Sequence, residues 1–288
     1  MPLTFLNFEK TLEKNFFYEK NPIIAVGVSG GPDSLALAIL LHHWVKKKKG
    51  KFIALIVDHK IREESFFESL HTKKFLSSKG INSKIFTVDK TKVQNGKLSQ
   101  ARVNRFEILL NYCQKNNIFH LILGHHFDDN LETFILRKIA GSNLEGLNSI
   151  QFVTIHKCIR VVRPLLFYTK KDILLFNKRL NFPFILDPSN QNIKYSRVAI
   201  RKYLNLNKKM RSEIKKEFKL IRDNYSLYKK MIYQILNLLI IKVDYKKLIL
   251  NAKDFLSLNT EIRVKILEKG MQYVNNSNFQ IRSKKIEN

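Results

Sequence analysis

Cysteine is nearly absent from this chain: 288 residues carry two, Cys113 and Cys158, with no C-x-x-C pair between them. That excludes a cysteine zinc set and a dithiol redox motif, and the two read as buried thiols. Long apolar runs are missing too. The longest candidate, Met231 to Val243, is interrupted by Tyr233, Gln234, Asn237 and Lys242, and falls short of the ~18–20 residues a membrane span needs. The opening residues, Met1 to Glu9, lack a basic n-region and a small-residue cleavage site. No signal peptide is read, so a cytoplasmic location is expected, without a membrane partner. Acidic residues are scarce, 24 against 52 lysines and arginines, for a formal net charge of +28. Such an excess favours a polyanionic partner, nucleic acid first, although the same Lys-, Asn-, Ile- and Phe-rich usage also follows from AT-rich codons.

Turn punctuation is unevenly spread. All six prolines lie at or before Pro188, and Gly270 is the one glycine after Gly146. The composition therefore predicts an α/β domain over residues 1–205, then a small all-helical domain over residues 206–288 with 19 basic and 8 acidic residues. The hydrophobic fraction of 44% supports a substantial core.

What is present centres on the stretch from Ile23 to Leu41. Its first six residues are apolar or small and fit a buried parallel strand. Ser29, Gly30 and Gly31 break the run, Pro32 suits an early helix position, and Asp33 and Ser34 fall in the first turn of a helix continued by Leu35, Leu37, Ile39, Leu40 and Leu41. Strand, glycine turn and helix start together bind phosphate: backbone N–H groups approach the anion and the helix N-terminus adds partial positive charge. The common nucleotide loop G-x-x-x-x-G-K-[ST] brings a lysine; this one has none.

Further strands are predicted at Phe52–Val57, Lys84–Val88 and Phe119–Gly124, separated by helices over residues 63–79 and 98–116. The result is a Rossmann-like parallel sheet. Polar clusters follow the first, second and fourth strands: Ser29 to Ser34, Asp58 with His59, and His125 to Glu132. Polar groups at the carboxyl ends of parallel strands sit where open α/β sheets bind ligands. In the last cluster His125 and Asp129 are four apart and Asp129 and Glu132 three apart, so on a helix they share a face. Such paired carboxylates could hold a cationic amine or bind Mg²⁺. Arg102 and Arg105 share a face of the helix before the fourth strand.

Taken together, Ser29–Ser34, Val57–Arg62, Ala101–Arg105, Gly124–Thr133, Arg163–Leu166 and Asp187–Asn190 resemble the tRNA(Ile)-lysidine synthetases, within the ATP pyrophosphatases that cleave ATP between its α and β phosphates. The likeness runs over roughly residues 20–205. It implies ligation of free L-lysine to C2 of the wobble cytidine of a tRNA(Ile) with a CAU anticodon, by way of an adenylated cytidine. ATP and Mg²⁺ are the implied cofactors, with Asp33 the candidate for the metal. The loop residues Ser29, Gly30, Gly31, Pro32, Asp33 and Ser34, with Asp58 and His59, would bind the nucleotide. Asp129 and Glu132 would grip the lysine ammonium. Arg102 and Arg105 would offset charge at the α phosphate, and His125 or His126 would handle a proton. Arg163 and Arg201 are expected to contact the tRNA backbone, and residues 206–288 to bind tRNA. A homodimer is left open.

Two departures stand out. Members of that family carry Arg-Asn-x-x-Arg where this chain has Arg197-Val198-Ala199-Ile200-Arg201, and Ile281–Ile286 resembles the opening of a further module although Asn288 is the last residue. Two other readings compete: a pyrophosphate-loop tRNA thiolase, which needs reactive cysteines, and an RNA-binding remnant without activity.

Overall fold

The apolar runs form the strands expected of them. β1 (Ile23–Val28) lies between β2 (Lys51–Asp58) and β4 (His120–Ile122), parallel to both. β3 (Ser83–Thr87) flanks β2 in parallel, and β6 (Ile159–Val162) flanks β4 in parallel. The sheet closes on an antiparallel edge strand, β5 (Val153–His156), giving the order β3-β2-β1-β4-β6-β5. Lys157 and Cys158, at φ 47° and 66°, make the turn of the β5–β6 hairpin, the backbone a two-residue connection requires. These facts come from a computed structural model that describes residues 2–58, 65–88, 98–182, 184 and 196–275.

Side chains alternate across the sheet with period two. On one face Ile24, Val26, Ala54, Ile56, Ile122 and Val162 pack with α1 (Phe5–Asn15), α2 (Pro32–Lys47), α3 (Ser65–Ser78) and α7 (Lys170–Arg179). On the other, Ala25, Leu55, Leu121 and Val161 meet Leu109, Leu110 and Cys113 of α4 (Leu98–Lys115). α2 is apolar nearly all round because it is covered by α1 and α7 as well as by the sheet; Leu37, Leu40, Leu41 and Trp44 are fully buried, each contributing roughly 1.5–3 kcal/mol. The basic end of α2 is a helix terminus paired with α1, Lys47 to Glu9 and Lys48 to Glu13.

The chain divides into two compact units: residues 1–141 with 149–212, and residues 142–148 with 213–288. The first holds the sheet together with α5 (Phe127–Ile139) and α8 (Ser196–Leu206). The second comprises α6 (Leu144–Leu147), most of α9 (Lys208–Leu239), α10 (Ala252–Leu256) and α11 (Thr260–Val274). It is helical, as the composition implied, but not wholly so. β7 (Ile240–Asp244) and β8 (Lys247–Leu250) form a hairpin within it, turned at Lys246 with φ 54°. Ile232, Leu236, Leu239 and Ile266 form this unit's core.

Candidate functional site: the β1–β4 crevice

The order β3-β2-β1-β4 reverses direction between β1 and β4, and ligands of open α/β sheets bind in the crevice outside such a switch point. Two of the polar clusters open there. After β1 the loop bends at Gly30, whose φ of 78° lies in the left-handed region. Gly31 caps α2 in extended conformation, without a side-chain hydrogen bond to the helix, and Pro32 follows at the first helical position. The first-turn N–H groups of α2 therefore lack a side-chain cap and suit an anion.

Ser34 shapes this loop. Its Oγ accepts from the Ser29 N–H at 3.1 Å and donates to the Gly31 carbonyl at 3.0 Å. With its proton so used, the 3.2 Å contact between the two hydroxyls is a bond from Ser29 Oγ to Ser34 Oγ. Gly124, just past β4, brings the second cluster against the loop: a Cβ on it would stand 3.4 Å from the Asp33 carbonyl carbon and from Ser34 Cα and N.

His126 caps α5. Its Nδ1 accepts from the Asp129 N–H at 3.3 Å while the Asp129 carboxylate accepts from the His126 N–H at 3.0 Å, a reciprocal capping box. Because Nδ1 accepts, the ring proton is assigned to Nε2. That nitrogen lies 3.9 Å from Asp33 and 3.7 Å from Asp129. The phosphate-type loop and the carboxylate helix thus meet across one imidazole. Next along α5, Asn130 donates to the Ile150 carbonyl at 3.1 Å and accepts from its N–H at 2.8 Å. Glu132, one turn on, is 1% exposed and accepts from Arg201 Nε at 2.7 Å and Nη2 at 3.2 Å.

The charges perturb one another strongly. Burial, with Arg163, Arg105 and Arg197 nearby, lowers His125 to about 4 despite Asp129, and its buried Nδ1 has no hydrogen-bond partner among the described residues. Burial would raise Asp129, but His126, His125, the His126 N–H and Arg201 outweigh it, so its pKa falls. Burial lifts Glu132 against the pull of Arg201, while Arg201 is raised because Glu132 outweighs its burial. The two directions differ on the pair, because burial prevails on Glu132 and pairing prevails on Arg201. Pairing favours both charged forms and burial opposes both, and the carboxylate is the more deeply buried partner. Burial depresses Arg102, which also feels Arg197, Asp129 and Glu132. Burial and Arg102 depress Arg105. Six cations thus lie in this cluster, Arg102, Arg201 and Lys170 acting on Asp33, Asp129 or Glu132 and Arg105, Arg163 and Arg197 on His125, a field that suits an anionic ligand.

The residues singled out in the sequence are largely brought together. Ser29, Gly30, Gly31, Pro32, Asp33 and Ser34 form the loop; His126 lies near both Asp33 of that loop and Asp129, and His125 and Glu132 belong to the same charge cluster; Arg102 and Arg105 lie within electrostatic reach. Asp58 ends β2, buried, and accepts from Ser65 Oγ at 2.6 Å. His59, Lys60–Arg62, Asp187–Asn190 and Ile281–Ile286 lie outside the described residues. Arg163 is not exposed for a backbone contact. It is buried, donates to the Gln151 carbonyl and Thr154 Oγ at 3.0 and 3.1 Å, and is lowered to about 10 by burial. Arg201 is engaged with Glu132.

Lys170 escaped the sequence reading. Its Nζ sits 2.7 Å from both carboxylate oxygens of Asp33. The available signal was a lysine directly after the N-cap Thr169, where the helix dipole disfavours a cation. Asp128, also passed over, accepts from the Lys170 N–H at 2.7 Å and pairs with Arg211.

A doubly wound sheet with an anion loop at its switch point defines an α/β nucleotide-binding domain. The chain belongs to the PP-loop domain family, matched over residues 5–208. It is 39% identical over 203 residues to the tRNA(Ile)-lysidine synthase of Orientia tsutsugamushi, an alignment covering 69% of this chain and 45% of that one. It is 35% identical over 201 residues to that of Wolbachia pipientis wMel, covering 69% and 46%, and 28% identical over 269 residues to that of Bacillus cereus, covering 90% and 56%. The matched part of this chain thus spans about half the length of these relatives. Among solved structures, the U34-tRNA thiolase NcsA from Methanococcus maripaludis, with its [4Fe-4S] cluster, shares the fold at a TM-score of 0.60 and 22% identity over 76% of this chain and 79% of that one. The resemblance read from the motifs and the names of the sequence relatives point to the same family.

Proposed function

We propose that this chain ligates free L-lysine to the wobble cytidine of tRNA(Ile) bearing a CAU anticodon, using ATP. The observation that carries the reading is His126, with Nε2 between Asp33 of the phosphate loop and Asp129 of the carboxylate helix, at 3.9 and 3.7 Å. One crevice can therefore seat a triphosphate and a cationic amine side by side.

In the first step the C2 oxygen of the cytidine attacks the α phosphorus, an O–P bond forms, the α–β bridge breaks and pyrophosphate leaves. The N–H groups at the start of α2 stabilise the charge that builds on the leaving group. Arg102 and Arg105 offset charge at the α phosphate. In the second step the ε-amine, having lost a proton, attacks C2, and the C2 oxygen departs with AMP. Asp129, the more accessible carboxylate, positions the lysine as its ammonium, while Glu132, expected from the sequence to share that grip, is buried and held by Arg201. Neither histidine stands out for the proton transfer: His126 Nδ1 is already engaged as a cap acceptor, and burial holds His125 near 4, a weak base for an ammonium proton.

Mg²⁺ fits as a companion of the nucleotide. No cluster of three or more His, Cys, Asp or Glu side chains that could hold a metal exists among the described residues, and Mg²⁺ commonly binds through one or two carboxylates plus substrate phosphates. Asp33 would hold it, and the ion would neutralise phosphate charge. We assign residues 1–205 to the catalytic domain and residues 206–288 to tRNA binding, in the cytoplasm. No helix among the described residues is long and apolar enough to cross a membrane. The thiolase reading gains no support from the cysteines. Cys113 is buried and pushed up to about 12 by burial, far from the thiolate that sulfur chemistry needs; Cys158, expected to be buried, is exposed on the β5–β6 turn at the amino end of β6, across the sheet from the crevice.

The test is the product pattern from labelled ATP. Pyrophosphate is expected only with the cognate tRNA, and AMP only when lysine is also present. ADP and phosphate, or pyrophosphate without tRNA, would contradict the proposal.

A further inference from the structure

The loop of residues 29–34 lacks the lysine that the G-x-x-x-x-G-K-[ST] phosphate loop carries at the start of its helix. We propose that Lys170 supplies that cation from another element and grips the β and γ phosphates of ATP. The inference rests on the ATP reading above.

Lys170 is held in place independently of any ligand. Thr169 and Asp172 close a capping box around the start of α7, and the Lys170 N–H donates to Asp128. The helix is fastened to the start of α2 by Asn177, fully buried, which donates from Nδ2 to the Pro32 carbonyl at 2.9 Å. Two helix N-termini therefore converge on Asp33, and the stem of Lys170 is indexed to the same turn that offers its N–H groups to an anion. A cation at the first position of a helix opposes the dipole, so its placement calls for an anion in front of it. Asp33 is that anion here, with Nζ 2.7 Å from each oxygen.

A triphosphate entering beside Asp33 would meet a carboxylate of its own sign. Lys170 eases the conflict alongside the Mg²⁺ that Asp33 would hold. An ammonium carries three donors: it can keep one on Asp33, neutralising it, and turn the others to phosphate oxygens. Neither Asp33 nor the loop alone could do both. The ammonium is part-exposed, with its side chain 36% accessible, so it can swing without unpacking α7.

A plain structural ion pair predicts something different, and nucleotide binding separates the two. ATP, AMP and inorganic pyrophosphate are titrated calorimetrically, with Mg²⁺, into the wild-type chain and into Lys170→Met, Lys170→Gln and Lys170→Arg. Lys170→Met and Lys170→Gln are expected to lose about tenfold or more in affinity for ATP and pyrophosphate, yet to bind AMP within about twofold of wild type. Lys170→Arg should recover most of the loss. Thermal melts of each variant report folding directly. If ATP and AMP weaken together, or if ATP binds the methionine and glutamine variants as it binds wild type, the assignment is overturned while the ATP reading stands. A wild-type chain that binds neither ATP nor pyrophosphate removes the ATP reading and this inference with it.

Discussion

Arg201 holds Glu132 by two N–H groups, 2.7 and 3.2 Å from its two oxygens, across 69 residues of sequence. This joins α8 to the carboxylate helix and pulls the Glu132 pKa down against its burial. Removing one partner of a buried pair strands the other, so Arg201→Met should cost about 3 kcal/mol near neutral pH, the low end of the range because Arg201 is part-exposed. Glu132 is already raised by burial, and losing Arg201 raises it further. Protonation then relieves the penalty as pH falls, so the destabilisation should be smaller at pH 5 than at pH 8. Urea unfolding at both values checks this, and adding Glu132→Gln to Arg201→Met should restore much of the loss.

His125 should leave a signature of the opposite sign. Its folded-state value is lowered from 6.5 to about 4, so between those values the unfolded chain binds the proton and the folded one does not. Stability is then lost as pH falls through that window, by up to about 3 kcal/mol. His125→Asn should flatten this part of the curve, measured as unfolding free energy between pH 7 and 4. An unchanged slope would show that His125 titrates normally.

Gly30 and Gly31 should fail differently. Gly30 has φ 78°, so Gly30→Ala strains the backbone by about 1–2 kcal/mol and should weaken ATP binding along with stability. Gly31 is extended, and a Cβ there would meet only Ser29 Oγ at 3.6 Å. Gly31→Ala should therefore fold normally but bind ATP poorly, because the methyl group stands where phosphate must approach the N–H groups. Melting temperature and ATP titration on both variants separate conformation from approach.

The second unit has its own buried charge cluster. Lys265 lies 3.1 Å from Glu145 and 2.7 Å from Glu268, a carboxylate that is 1% exposed. Lys265→Met leaves two neighbouring carboxylates without that cation and should destabilise this unit by about 3 kcal/mol, seen as an earlier transition in urea that leaves the sheet-containing unit unchanged.

Much of this was legible in the residues themselves. Buried parallel strands announce themselves as β-branched runs, and a glycine turn between strand and helix is local chemistry, so the crevice and its loop followed from short windows. The ion pairs did not. Lys170 and Asp33 are 137 residues apart, and no periodicity joins them; nor does any mark Arg201 as the partner of Glu132 rather than of RNA. The β7–β8 hairpin was hidden for another reason. Its turn at Lys246 uses no glycine or proline, and Ile240 continues the apolar run of α9, so only the β-branched Ile240, Ile241 and Val243 hinted at a strand.

On the proposed function, ATP and lysine act on one cytidine in the β1–β4 crevice. The most direct measurement is mass analysis of nucleosides from tRNA(Ile) bearing a CAU anticodon, after incubation with the protein, ATP and isotopically labelled lysine. The account predicts a wobble nucleoside with the mass of cytidine plus lysine less water, carrying the label, and its loss in Asp33→Ala and Asp129→Ala. An unmodified cytidine, or a mass gain without the lysine label, would contradict it.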